Sequence, residues 1–380
     1  MKTIRRSFLA STVLTALALN SILPIARALE AKNERPLVQI ALLLDTSNSM
    51  DGLIDQAKGQ LWKIVNEFIN ARQNGQRPQL QVALYEYGNN GLSAAKGYIR
   101  QVQPFTTDLD KISEELFKLK TNGGEEYCGW VIQTALESLA WSGSRHDFRA
   151  IFIAGNEPFT QGPVNYRSSC KAAIERGIVV NTIHCGPQQE GIMGQWQDGA
   201  LLADGKYMVI DQDRAIVHFD APQDKEIAKL GVELNKTYLA YGVEGRESQA
   251  RQVAQDVNSS VLASQGSVLN RALCKASPNY YNGNWDLVDA CKDGKVKIGD
   301  VKKEALPAEM QKMSAPERKA YVESKAKERE QIQQSINTLN AERTRFVAQQ
   351  MKTSSQTNTL DTVMIATIRE QAAKKNYRFD

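Results

Sequence analysis

The stretch Gln39–Met50, QIALLLDTSNSM, constrains the fold more than any other part of the 380-residue chain. Its apolar run, Val38 to Leu44, is too short for a helix and is continuous rather than alternating, the pattern of a strand buried on both faces. The run stops at Asp45-Thr46-Ser47-Asn48-Ser49. One carboxylate and two hydroxyls at alternate positions, on a loop leaving a strand, gather hard oxygen donors of the kind that Mg²⁺ or Mn²⁺ prefers. Asp51-Gly52 then opens a segment with Ile54, Ala57, Leu61, Ile64, Val65 and Phe68 on one helical face. Taken alone, the Asp–Ser cluster also suits plain capping of that helix.

Strands and helices alternate from there. Leu80–Tyr87 reads as a second strand, Gly88-Asn89-Asn90-Gly91 as a turn, and Gly97–Val102 as a returning third strand. Thr107-Asp108 starts a helix carrying Leu109, Ile112, Leu116 and Leu119, and another helix runs through Ala135, Leu136 and Leu139. Arg149–Ala154 and Ile178–His184 are strands separated by the helix Tyr166–Arg176, which Gly177 stops. A short helix near Asp198–Ala203 leads into Tyr207–Ile210. The pattern predicts an α/β, doubly wound, mostly parallel sheet with one antiparallel edge strand. Ligands of such sheets bind beyond the carboxyl ends of the strands, where Asp45 lies.

The strand, the D-x-S-x-S loop and the helix after it resemble the von Willebrand factor type A domain, and the likeness covers about residues 36–212. That resemblance implies a Rossmann-like fold and a metal-ion-dependent adhesion site in which Asp45, Ser47 and Ser49 hold Mg²⁺ (or Mn²⁺ or Ca²⁺). It also implies a protein partner whose acidic side chain fills the open position on the cation. Two expected ligands are missing. The family places a Thr after a Gly-Gly pair, but Glu125 follows Gly123-Gly124 and the nearest threonine, Thr121, precedes them. Where the family has an Asp at the end of the fourth strand, Gly155 stands, followed by Asn156-Glu157. Either Glu125, Glu126 or Glu157 reaches in to restore the charge, or the loops bind with weak metal or none. The first is preferred, and the expected metal set is Asp45, Ser47, Ser49, Thr121, Glu125 and Glu157. On this view Gly155→Asp should strengthen metal binding.

The N-terminus reads as an export signal. Lys2, Arg5 and Arg6 precede an apolar segment, Phe8 to Ile25, and Ala26-Arg27-Ala28 is a small-x-small cleavage site. Arg5-Arg6-Ser7-Phe8-Leu9 also resembles the twin-arginine signature, and residues 1–28 are expected to be removed from a periplasmic or secreted protein. Their loss leaves 43 basic residues against 43 acidic ones. A balanced chain lacks the basic excess of a nucleic-acid binder. No later stretch is long and apolar enough for a bilayer. An oxidising destination makes disulfides the expectation, with Cys274–Cys291 closing one loop and two of Cys128, Cys170 and Cys185 pairing.

Residues 221–380 read as a mainly helical region: Lys225–Tyr241, Glu247–Leu262, a long helix from the capping box Ser314-Ala315-Pro316-Glu317 to about Gln350, a polar linker Ser354–Thr359, and Leu360–Lys374. Arg343 interrupts the apolar seam of the long helix, which favours docking on the domain over a coiled coil. Phosphate-loop, dinucleotide and nucleophile-elbow motifs are missing from the sequence, and the three histidines are scattered. The expectation is a non-enzymatic binding protein. The alternative is an envelope scaffold whose helical half makes the contacts.

Overall fold

The structure, a computed structural model, describes residues 35–68, 70–210, 219–261, 266–351 and 360–379. The export-signal expectation and the linker Ser354–Thr359 lie outside the described residues.

The apolar run becomes β1 (Leu37–Asp45) at the centre of a six-stranded sheet, with β3 (Gln79–Tyr87), β4 (Ile99–Thr106), β5 (Phe148–Gly155), β6 (Val179–Cys185) and β7 (Tyr207–Ile210). The strand order is β4-β3-β1-β5-β6-β7. All neighbours are parallel except β4, which pairs antiparallel with β3 at one edge. This is the expected doubly wound α/β architecture.

Burial on both faces follows strand parity. Ile40, Leu42, Leu44, Val82, Leu84 and Phe152 enter one core with α1 (Asp51–Glu67) and α2 (Leu109–Lys118). Ala41, Leu43, Tyr85, Ile151 and Ile153 enter the other with α3 (Cys128–Ser138) and α4 (Tyr166–Glu175). Two short helices, α5 (Gln188–Met193) and α6 (Trp196–Leu201), follow β6. Trp196 and Trp285 are core residues, and Trp141 is half-buried.

The C-terminal region comprises α7 (Asp224–Asn235), α8 (Gly242–Val261), α9 (Ser267–Lys275), α10 (Leu287–Lys292), α11 (Ala315–Met351) and α12 (Leu360–Ala373). It continues the first core: Ile227, Leu234, Leu269, Ile336 and Ile368 join the cluster that holds α1. Residues 36–380 form one compact unit. Polar contacts reinforce this junction. Arg271 on α9 lies over the Trp62 ring at 4.4 Å and pairs with Asp110 on α2 and, at 2.9 Å, with Asp256 on α8.

Half of the capping box forms: the Ser314 amide donates to the Glu317 carboxylate at 2.7 Å, and the Ser314 hydroxyl donates to the same oxygen at 2.7 Å. On the long helix, Arg329 donates to Asp286 and Asp289, and Arg343 donates to Asp224 at 2.6 Å and to the Phe219 carbonyl at 3.0 Å. The charges that spoil a coiled-coil seam are thus docking contacts within the chain.

Two expectations are corrected and one element is added. The helix expected over Lys225–Tyr241 stops at Asn235. Beyond it Leu239 donates its amide to the buried Asp286 at 2.7 Å, and Arg329 holds the Thr237 carbonyl. A small sheet of β2 (Ala71–Gln73) and β8 (Tyr377–Phe379) goes unforeseen, since three residues carry no period. All five cysteines are free thiols, so neither the Cys274–Cys291 bridge nor a pair among Cys128, Cys170 and Cys185 forms. Cys274 faces the main core from α9, whereas Cys291 on α10 packs on a separate cluster. Burial pushes the Cys274 thiol up to about 12.

Candidate metal centre

Asp45 is the last residue of β1 and is fully buried. Its Oδ1 accepts the Ser47 amide at 2.8 Å, a turn that folds the loop back over the strand end. The Ser47 and Ser49 hydroxyls lie 3.5 Å apart; Ser47 is buried and Ser49 exposed. The strand ends beside Asp45 are shaped to fit it. A Cβ at Gly88, where φ is +79°, would lie 2.8 Å from both Asp45 Oδ1 and Glu126 Cγ. Only a glycine lets β3 end so close to both carboxyls.

The loop before α3 supplies the second acid. It is tied down by the Asn122 amide on the Thr46 carbonyl at 2.9 Å and the Asn90 amide on the Gly123 carbonyl at 2.8 Å. Glu125 then points to solvent, while Glu126 is buried at 4 % exposure against Asp45 and Ser47. Gln161 accepts the Glu126 amide at 3.1 Å and donates to Glu157 at 3.2 Å, bracing the two acidic positions. Glu157 is itself exposed. Thr121 donates to Asp51, at the start of α1.

Two carboxyls share this dry corner, and burial makes their ionisation costly. Asp45 is pushed up to about 6 by burial, which outweighs the hydrogen bonds from Glu126 and Ser47. Glu126 is pushed up to about 9, by burial first and then by the Asp45 carboxyl. Asp45 Oδ2 and Glu126 Oε2, both buried, accept no hydrogen bond from the rest of the protein, and the two carboxyls hydrogen-bond each other. The donor set therefore fits a hard divalent cation, which would satisfy both oxygens and favour both ionised forms. It contains two acids only. Among the described residues no group of three or more His, Cys, Asp or Glu converges as a cage. Hydroxyls and water would complete the shell.

Gly155 faces the same corner, but Gly155→Asp finds no space for the missing ligand. A Cβ there would lie 2.5 Å from the Tyr87 hydroxyl and 3.0 Å from Asp45 Oδ2. Tyr87 holds the position by donating to the Ala154 carbonyl at 3.0 Å, and its oxygen lies 3.7 Å from Cys128 Sγ. The expected gain in metal binding from Gly155→Asp is withdrawn on this ground. Of the six sequence candidates, Asp45, Ser47 and Ser49 come together; Thr121 turns to Asp51, Glu125 to solvent, and Glu157 to Gln161. Glu126 is the carboxylate that joins them.

Residues 39–196 match the family model described as the von Willebrand factor type A domain. No curated protein matches the chain. Solved structures similar to it include the conserved hypothetical protein BatB from Bacteroides thetaiotaomicron, at 20 % identity and a TM-score of 0.35, covering 46 % of this chain and 90 % of that one. The SpRpn10 VWA domain is similar at 17 % identity and a TM-score of 0.35, covering 46 % and 88 %. Proximal thread matrix protein 1 from the mussel byssus, with a zinc-occupied MIDAS motif, is similar at 13 % identity and a TM-score of 0.33, covering 47 % and 43 %. With its strand order and its D-x-S-x-S loop at the end of β1, the segment 39–196 is a von Willebrand factor type A domain.

Proposed function

We propose that this is an exported, non-enzymatic binding protein that captures a protein partner at the loops around Asp45. A divalent cation, Mg²⁺ in the first instance, is held there by Asp45, Ser47, Ser49 and Glu126. The observation that carries this reading is the pair of buried carboxyl oxygens, Asp45 Oδ2 and Glu126 Oε2, which no other group of the protein donates to, beside two hydroxyls. A site with two acids leaves the cation electron-poor, so an acidic side chain of the partner supplies the remaining charge. Metal and partner then raise each other's affinity by the same factor. The exposed Glu125 and Glu157 border the site and select against strongly acidic surfaces.

Affinity capture from envelope extract tests this, with wild type and Asp45→Ala each run in Mg²⁺ and in chelator. A protein retained only by wild type in Mg²⁺ is the expected result; retention indifferent to both changes overturns it. The alternative, an assembly role for the helical region, is favoured by one feature of α8. Val253, Val257 and Val261 lie four residues apart on it, 50 %, 53 % and 70 % exposed. Capture lost in Val257→Asp but insensitive to chelator transfers the contact to that helix.

A further inference from the structure

Beneath the α3–α4 face, at the amino-terminal end of β5, the ends of α3 and α4 and the loop between α3 and β5 enclose a cleft of about 700 Å³. Four cations line it, Arg145, Arg149, Arg176 and Lys375, against one carboxylate, Glu175. Arg149 is the second residue of β5 and only 5 % exposed. Its guanidinium donates through Nη1 to the Ser142 carbonyl, and its Nε has no partner. Gly177 gives the group its room, since a Cβ there would lie 2.9 Å from Nη2.

The nearest acid does not satisfy this cation. Asp147 is committed elsewhere: its Oδ1 accepts the Leu37 amide at 3.1 Å and its Oδ2 accepts the Ser142 hydroxyl. Burial lowers the Arg149 pKa, and Asp147 restores only part of it. A guanidinium cannot escape burial by losing its proton, so it must find acceptors. Here a buried one, with a single hydrogen bond, lines a cleft that carries three further cations.

We propose that this cleft binds a phosphate-type dianion, with Arg149 at its floor and Arg145, Arg176 and Lys375 around it. Charge decides the class. Four cations against Glu175 and the neighbouring Asp147 still leave a surplus that a dianion neutralises better than a carboxylate does, and the guanidinium fork matches a tetrahedral oxyanion. Trp141 and Ile174, both half-buried, supply apolar wall, so the anion is one carried on an organic body: a soluble phosphomonoester or a phospholipid headgroup. This site is separate from the Asp45 corner and does not depend on metal there.

The test is a titration of the full chain with inorganic phosphate, followed by calorimetry and by the Nε–H resonance of Arg149. Saturable binding that shifts this resonance is expected. Arg145→Gln, at an exposed position, should weaken binding roughly tenfold, the worth of one charge-assisted contact. Glu175→Gln should tighten it. Sulfate should compete, and acetate should not. Absence of saturable binding, or binding indifferent to both Arg145→Gln and Glu175→Gln, overturns the proposal. Vesicles of phosphatidylcholine with phosphatidic acid separate the two sources. Co-sedimentation displaced by phosphate and lost in Arg145→Gln supports the site with a headgroup as ligand; phosphate binding without co-sedimentation supports it with a soluble ester.

Discussion

Glu126→Gln removes one of the two buried carboxyls at the candidate metal centre while keeping the side chain's length. In the metal-free protein Asp45 is pushed up to about 6 and Glu126 to about 9, against ordinary values of 3.8 and 4.5. Between pH 6 and 9 the folded pair therefore holds one proton that the unfolded chain has already released. Folding then takes up a proton, so stability falls as pH rises. The slope is at most about 1.4 kcal/mol per pH unit for one proton. Glu126→Gln should abolish it, leaving only the fall due to Asp45 between its ordinary 3.8 and about 6. Urea titrations in chelator, spaced across that window, measure both. Saturating Mg²⁺ takes the proton's place, so metal affinity should rise with pH. Calorimetry in buffers of different ionisation heat should count about one proton released per cation at neutral pH. A flat wild-type profile, or a slope that survives Glu126→Gln, refutes the account of the pair.

Gly155→Ala should cost about 1–3 kcal/mol, because its Cβ meets the Tyr87 hydroxyl at 2.5 Å. In a Tyr87→Phe background that cost should shrink, and a double-mutant cycle showing strict additivity would contradict the packing described. Arg271→Met should destabilise by about 3–5 kcal/mol in chemical denaturation, since it leaves the buried Asp110 with the Tyr280 hydroxyl but without its cation. A loss under about 1 kcal/mol would mean that the junction of α9 with α2 rests on apolar packing alone. His184 is 3 % exposed with neither ring nitrogen partnered, and burial lowers its pKa below the ordinary 6.5. The unfolded chain protonates first, so stability should drop as pH falls below 6.5. His184→Asn should flatten that acid limb; an unchanged limb assigns it to other groups.

The sheet was legible because its strands obey one rule throughout. Ile40 to Leu44 and Ala150 to Ala154 are apolar without alternation, and both are buried on two faces. The start of α11 was legible through Ser314 and Glu317, whose contact is local. What depended on partners far along the chain was not. Nothing near Arg271 announces that its charge meets Asp110, which lies 161 positions away. The spacing of Cys274 and Cys291 invited a bridge, but the helix carrying Cys274 turns that thiol into the core. At the metal centre, Asp45, Ser47 and Ser49 share one loop and could be read together. Choosing between adjacent Glu125 and Glu126 required the path of the loop across Gly88. One local signal was available: of two consecutive glutamates before an apolar helix, the one nearer the helix is the better placed to turn inward.

The most direct test of the metal centre is anomalous scattering from crystals of the full-length protein grown or soaked with Mn²⁺. One difference peak is predicted, within coordination distance of Asp45 Oδ2, Ser47 Oγ and the Glu126 carboxylate, and absent from Glu126→Gln crystals. A map with no peak there at saturating Mn²⁺, or with the cation on Thr121, Glu125 or Glu157 instead, would contradict the site described.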